Sequence, residues 1–428
     1  MRTNSQSCVA KLATVCLLSA CISVVQASQS MDNITLALDE AIKIALSPNP
    51  GLAAVQAAAS SAATLAEQQS ALPDPRLAIN LANVPLDSFS LSQEAMTQMQ
   101  IGLSQDLPFP GKLGLHSDVA SAFAISKNEE ADEFRLQLIR QVKRGWWHLF
   151  YLDRAIETVE NNKSLLTQLV TTAQTQYAVG KGLQQDVFLA DLELAKLDNE
   201  LLRLRAERQS QAVQLNAQLN RPTNTQINLP RVSVTTLPSV KNELQLQSLA
   251  INNRPKFRAQ QARVDMALSQ RDLARKAYFP DFRLAALYGY RDGYSDMATF
   301  QLSMSLPVYA SKKQHRELDQ RQAELLKDRY LLQDDRLRIA EELSKAIIRF
   351  RQAKQQLVLY QTKIIPQARQ TVESMLASYQ VGKVEFLGVV KSHTSLYNYE
   401  SGYWLAYSNA QESLADIEAA VGQENIYE

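Results

Sequence analysis

The chain has 428 residues, of which 46% are hydrophobic and 21% charged, and its formal net charge is +1. That length supports a sizeable core, and the near-neutral balance supplies no basic field for nucleic acid. Cys8, Cys16 and Cys21 are the only cysteines, and His116, His148, His315 and His393 are scattered, so the body of the chain has no disulfide, no thiolate site and no paired-histidine metal motif.

At the start, Arg2 and Lys11 precede an apolar run over 12–20. This reads as an export leader, too short to span a membrane as a mature helix. Two cleavage readings stand side by side. Leu18-Ser-Ala-Cys21 resembles a bacterial lipobox, which gives a leader over 1–20 and a lipidated Cys21. Val25-Gln-Ala27 fits an ordinary small-residue site, which gives a leader over 1–27.

The first unit is expected over 31–222. An amphipathic pattern over 34–46 predicts a helix, stopped by Pro48-Asn-Pro50. An alanine- and glutamine-rich helix over 51–72 ends at Pro73-Asp-Pro75. The period then drops from 3.6 to 2, which predicts strands at about 76–83 and 97–107 with one apolar and one polar face each. Leu107-Pro-Phe-Pro-Gly-Lys112 ends the pair, because two prolines cannot continue a ladder.

No proline occurs between Pro110 and Pro222. That leaves room for a hairpin at about 112–220: a helix of about 65 residues, a turn at Gly180-Lys-Gly182 and a return of about 38. The longer arm approaches roughly 100 Å at ~1.5 Å per residue. Leu138, Val142, Gly145, Leu149 and Leu152 on one arm, and Val187, Ala190, Leu194, Leu197 and Leu201 on the other, follow heptad spacing. This predicts coiled-coil packing between the arms. The polar segment 223–240, with Pro230 and Pro238, reads as a linker or equatorial segment.

The pattern then starts again over 241–428. Strands are expected at about 281–291 and 298–307, and a second hairpin at about 311–421. Tyr177 and Tyr379 lie 202 residues apart, Pro73 and Pro280 207, and Pro108 and Pro307 199. One unit of helices, two strands and a long hairpin therefore occurs twice.

Strands of this length and alternation suit a tilted membrane β-strand. They also suit a soluble sheet packed on a helix, so a periplasmic coiled-coil adaptor with a soluble β-domain is the competing reading. If the strands span, four cannot close a barrel and an open edge in lipid is forbidden. Copies of the chain must then pool their strands. Gln98, Gln100, Ser104, Arg283, Arg291, Gln301, Ser303 and Ser305 would line a wet lumen.

The duplicated order, Pro73-Asp-Pro-Arg-Leu77, Leu107-Pro-Phe-Pro-Gly-Lys112 and the paired Val-Gly-Lys turns resemble the TolC family of outer-membrane efflux proteins over essentially all of the mature chain. The Pro-Phe-Pro-Gly-Lys element is most similar to the heavy-metal branch typified by CzcC and CusC. The resemblance implies a mainly α fold with a transmembrane β part: a homotrimer with a shared β-barrel in the bacterial outer membrane and an α-barrel in the periplasm. It implies a passive exit duct, with no enzyme activity and no cofactor. The partners would be a periplasmic adaptor, or membrane fusion protein, and an inner-membrane transporter of the resistance–nodulation–division type. Heavy-metal cations are the expected cargo, with drugs or small organic molecules as the alternative.

By the same resemblance, Val179, Gly180, Lys181, Val381, Gly382 and Lys383 form tips that dock the adaptor. Family members often narrow this end with acidic rings just after the second turn. Six residues after the glycine stand Asp186 in the first unit but Gly388 in the second. The ring is thus missing where the pattern expects it, and Asp186 and Glu385 are the gate candidates. Gly111-Lys-Leu-Gly114 lacks the spacing of a phosphate-binding loop, and no catalytic arrangement stands out.

Overall fold

A computed structural model describes residues 35–230 and 236–427. Both leader readings and Cys21 lie outside the described residues. Helix α1 spans Leu38–Leu46. It begins later than its amphipathic pattern suggests, because Thr35 forms a parallel bridge with Asn228 and Leu36 N donates to Asn228 O at 2.8 Å. The segment read as a linker therefore anchors the start of the body. Its far end does the same for the other terminus, where Val240 bridges Tyr427.

Helix α2 (Pro50–Ala63) starts on a proline at its first position, and the Asn49 side chain accepts from Leu52 N at 3.1 Å. Both features favour a helix start. Helix α3 (Leu65–Ser70) follows after a break at Thr64. Strands β1 (Arg76–Ala82) and β2 (Gln98–Leu107) precede α4 (Lys112–Ala178, 67 residues) and α5 (Gln184–Gln218, 35 residues). The second unit repeats the order: α6 (Glu243–Asn253), α7 (Pro255–Lys276), β3 (Phe282–Tyr290), β4 (Met297–Met304), α8 (Gln314–Leu359), α9 (Ile365–Gln380) and α10 (Phe386–Val421).

The sequence suggests one unbroken helix before the second turn. The structure instead has a π-helical turn, Tyr360–Ile364, between α8 and α9. Pro366 explains it. Proline lacks an N–H and its ring presses on the preceding turn, so one wider turn accommodates it without breaking the rod.

The chain keeps a layer of four helices along most of its length. Toward the sheet, α4 packs on α2 and α7, and α7 on α8; toward the hairpin turns, α4 packs on α5 and α10, and α10 on α8 and α9. The two halves meet at an aromatic core. Trp146 and Phe150 of α4 stack at 6.1 Å between centroids, and the Trp147 and Tyr407 rings meet edge-on at 5.8 Å. Trp146 Nε1 donates to Leu36 O at 2.9 Å, so its one polar atom is satisfied inside the core. A separate apolar cluster near the turns joins Leu166, Leu169 and Ala173 to Ala190, Tyr379, Phe386 and Val389.

The sheet runs β1-β2-β3-β4 and every pair is antiparallel. The β2–β3 pair is the seam between the two units. Both outer strands have an edge that nothing in the chain covers among the described residues.

Candidate functional site: barrel wall and helical tips

The register sorts the sheet into two unlike faces. Leu77, Ile79 and Leu81 lie beside Met99, Ile101 and Leu103, then Leu284, Ala286, Tyr288 and Tyr290, then Phe300, Leu302 and Met304. Apart from Gln105 at the helical end, this face is apolar across all four strands, yet Leu77 is 67% exposed and Phe300 83% exposed. Unpartnered apolar surface of this extent marks an interaction or membrane face. No described helix is long and apolar enough to cross a membrane.

The other face collects the polar candidates. Gln100 pairs with Gly289, Ser104 with Ala285, Ala285 with Gln301, and Arg283 with Ser303. Gln98 pairs with Ala82 at the outer end. Arg291 and Ser305 each follow a strand end by one residue and keep the same parity. Arg291 donates to Ala95 O at 2.9 Å, which ties it to the β1–β2 loop. Ser305 N donates to Asp281 O at 2.9 Å at the helical end. Apolar Leu287 also lies on this face. Its Cγ would stand 2.7 Å from a Cβ on Gly102, so glycine there lets Leu287 fold across β2.

Sequence reasoning missed an ionic group on this face. Asp106 stands opposite Arg283 in the register and its carboxylate accepts from Arg283 Nε. Arg76 Nη2 lies 3.2 Å from the same carboxylate. Three strands are thus pinned at the helical end of the sheet. Only the register reveals the trio, because Asp106 and Arg283 are 177 residues apart in the chain.

The proline-rich strand exit is also more than a stop signal. Phe109 stacks on Phe279 at 4.6 Å, Phe109 N donates to Asp281 Oδ1 at 2.8 Å, and Lys112 Nζ donates to the same oxygen at 2.7 Å. The motif is a clamp between the units.

At the opposite end the two turns are near copies. Gly180 has φ 73° and Gly382 φ 72°. Lys181 N donates to Gln176 O at 2.8 Å and Gly180 N to Tyr177 O at 3.0 Å; Lys383 N donates to Ser378 O and Gly382 N to Tyr379 O, both at 2.9 Å. These are paired Schellman caps, which need a left-handed residue at the position that glycine fills. A Cβ at either glycine would meet nothing within 4 Å. The requirement is therefore one of backbone conformation, and the space beyond each tip is open. Val179 and Val381 are exposed beside them, at 62% and 67%.

The structure brings both gate candidates to one cleft. Asp186, Glu385, Tyr379, Lys181 and Gly382 all line a cavity of about 950 Å3 between the turns. Burial first, and then the Asp186 carboxylate, push the Tyr379 phenol pKa up. Glu385 occupies the N-cap position of α10 without a side-chain cap bond. At Gly388, where an acid was expected, a Cβ would lie 2.5 Å from Met375 Cε. The flexible end of Met375 on α9 fills that position against α10. Among the described residues, no group of three or more His, Cys, Asp or Glu could hold a metal ion.

An exposed apolar sheet face with open edges, set on a body of long helical hairpins, defines the class: an outer-membrane protein with a periplasmic helical body. The chain belongs to the family of outer membrane efflux proteins, whose pattern it matches over residues 41–221 and 246–423. Its fold is similar to the outer membrane protein VceC from Vibrio cholerae, with 20% identity and a TM-score of 0.78 over 90% of this chain and 96% of that one. It is similar to CusC, with 17% identity and a TM-score of 0.77 over 93% of this chain and 96% of that one. It is also similar to the open state of the MtrE outer membrane channel of Neisseria gonorrhoeae, with 18% identity and a TM-score of 0.75 over 93% and 94%. A sequence relative, an uncharacterized protein of Haemophilus influenzae, is 25% identical over 158 residues, which span 37% of this chain and 35% of that protein.

Proposed function

We propose that three copies of the chain pool their four strands into one barrel and their hairpins into one periplasmic tube, forming the passive exit duct of a tripartite efflux system. The observation that carries this reading is the sheet: an apolar face exposed across all four strands, with both edges uncovered. In lipid such edges must pair, and further copies supply the strands. In the competing reading, a soluble adaptor, the same face would lie against water at high cost.

The tips support a docking role at the other end. Two exposed valines, two left-handed glycines and open space beyond them offer a small surface that helices of a periplasmic adaptor can grip. The pump behind it would be an inner-membrane transporter of the resistance–nodulation–division type. For cargo, the resemblance to the heavy-metal branch points to metal cations, and small organic molecules or drugs are the alternative. A duct that only passes solute needs no ligand site for either.

Thiol labelling tests the duct, because the sequence has no cysteine after Cys21. In protein reconstituted in lipid, Gln301→Cys should react with a charged, water-soluble thiol reagent and Leu302→Cys should not. Equal labelling of both, or a protein that stays soluble without detergent, overturns the reading.

A further inference from the structure

We propose that the inner rim of the barrel carries a ring of guanidinium groups that attracts anions, so that at this level the wall favours the alternative cargo, small organic molecules that are anionic, over free metal cations. This rests on reading the polar face of the sheet as the lumen, and it names the cargo class that the wall suits. Within the four strands, the charges described on that face are Arg76, Arg283 and Asp106. The two arginines share the one carboxylate. Arginine does not deprotonate in proteins, so within the strands each copy carries one more guanidinium than carboxylate at this level; just outside them, Asp281 is paired with Lys112 and Asp74 precedes Arg76 by two residues.

The rim position follows from the chain path. Arg76 opens β1, Asp106 is next to last in β2, and Arg283 is second in β3. All three stand where the strands meet the helices, which is where a solute from the periplasm enters. Asp106 occupies only part of each guanidinium fork. The remaining N–H groups have no other partner among the described residues and can donate to carboxylate, sulfonate or phosphate oxygens, which the planar fork fits well.

The outer end has the opposite character. Asp87, Glu94 and Asp292 lie in the loops beyond the strands. The Asp296 carboxylate there accepts from the Tyr288 hydroxyl and from Arg291 N. The barrel is thus positive at its entrance and acidic beyond its exit. That order concentrates anions at the periplasmic entrance, while the acidic outer end hinders the entry of anions from outside. The screening length is ~8 Å at physiological salt, so the attraction acts on solutes close to the wall.

Ser303 stands directly opposite Arg283 and places a probe at the ring. In the reconstituted full chain, Ser303→Cys is labelled with sulfonatoethyl methanethiosulfonate and, separately, with its trimethylammonium counterpart. Each rate is divided by the rate for a free thiol in the same buffer. The anionic reagent should be favoured on the order of fivefold, as for a wall potential of about kT. Molar salt or tripolyphosphate should remove most of that preference. Arg76→Gln with Arg283→Gln should bring the ratio to about one or below, whereas Arg76→Lys with Arg283→Lys should keep it. A ratio near one in the parent Ser303→Cys protein, or a preference that survives the glutamine pair, overturns the anion ring while the labelling itself upholds the lumen. Failure of both reagents to reach Cys at position 303 overturns the lumen reading, and the ring with it.

Discussion

Lys112 Nζ lies 2.7 Å from Asp281 Oδ1, joining the first residue of α4 to the residue just before β3. The same oxygen accepts from Phe109 N, so one carboxylate holds the exit of β2 to the entry of β3 at the junction of sheet and helices. Asp281→Ala leaves the mostly buried Lys112 side chain and the Phe109 N–H without that acceptor. The expected loss is about 1–3 kcal/mol per copy. It should appear as a lower Tm in detergent and as earlier loss of heat-stable oligomer. Asp281→Asn keeps an acceptor without the charge and should fall between. Unchanged melting in both variants would show that the clamp contributes nothing.

At the tips, side-chain chemistry and backbone strain can be separated. Val179→Arg with Val381→Arg changes only exposed positions, so the oligomer should assemble normally. If the tips dock an adaptor, crosslinking to it should fall about tenfold, the equivalent of ~1.4 kcal/mol. Gly180→Ala tests the other term. At φ 73° it should cost roughly 1 kcal/mol of hairpin stability through backbone strain alone. Normal efflux and crosslinking in the arginine pair would rule out docking through these residues.

The cleft between the turns makes a conductance prediction. Asp186→Ala and Glu385→Ala should each raise single-channel conductance, by a factor of about two if these acids constrict the tip. Gly388→Asp should displace the flexible end of Met375 from the α9–α10 contact at small cost, because Met375 Cε occupies the needed space. Adding Met375→Ala should relieve the clash and permit an acidic ring at that level. Unaltered conductance in both alanine variants assigns Asp186 and Glu385 to ordinary helix-end charge.

His393 supplies a pH dependence. Its ring is buried against α4 and α5, and Nε2 has no hydrogen-bond partner among the described residues. It shares a cavity of about 330 Å3 with Asn162 of α4, Glu193, Lys196 and Glu200 of α5, and Tyr397 of its own helix. Burial lowers its pKa below 6.5, and Glu400 pulls weakly the other way. Between the lowered folded value and 6.5 the unfolded chain binds more proton than the native one. Stability should therefore fall as pH drops through that window and level off beneath it. Glu412 has the opposite sign, since burial raises its pKa and favours the protonated native form as pH falls. The Tm difference between the parent chain and His393→Leu should widen in favour of leucine from pH 7.5 to pH 5. A constant difference would sink the assignment.

What the sequence revealed was what repeats or alternates. The unit of about 200 residues, the period-2 strands and the paired turns need only local patterns. The Arg76–Asp106–Arg283 trio and the Asp281 clamp were not legible, because each depends on pairing across the two units. Pro366 lies within the stretch that the sequence suggests is one unbroken helix. Its outcome, a single π turn, depends on α10 holding the rod on both sides. Gly388 looked like a missing acid. In the structure it is a packing position, which a pattern of charges cannot distinguish.

The β2–β3 pair has a kinetic consequence. Its partners are far apart in the chain, as Asp106 and Arg283 illustrate at 177 residues. Closing so long a loop is slow relative to zipping a helical hairpin. The first hairpin can assemble as soon as it has been exported, whereas β1 and β2, which pair with each other, must wait for the second unit before β3 can extend the sheet. Until then their apolar face is an aggregation hazard that holding chaperones would have to mask. Pulse-chase proteolysis should accordingly find the α4–α5 hairpin protected well before the strands, and membrane insertion should be the last event in maturation.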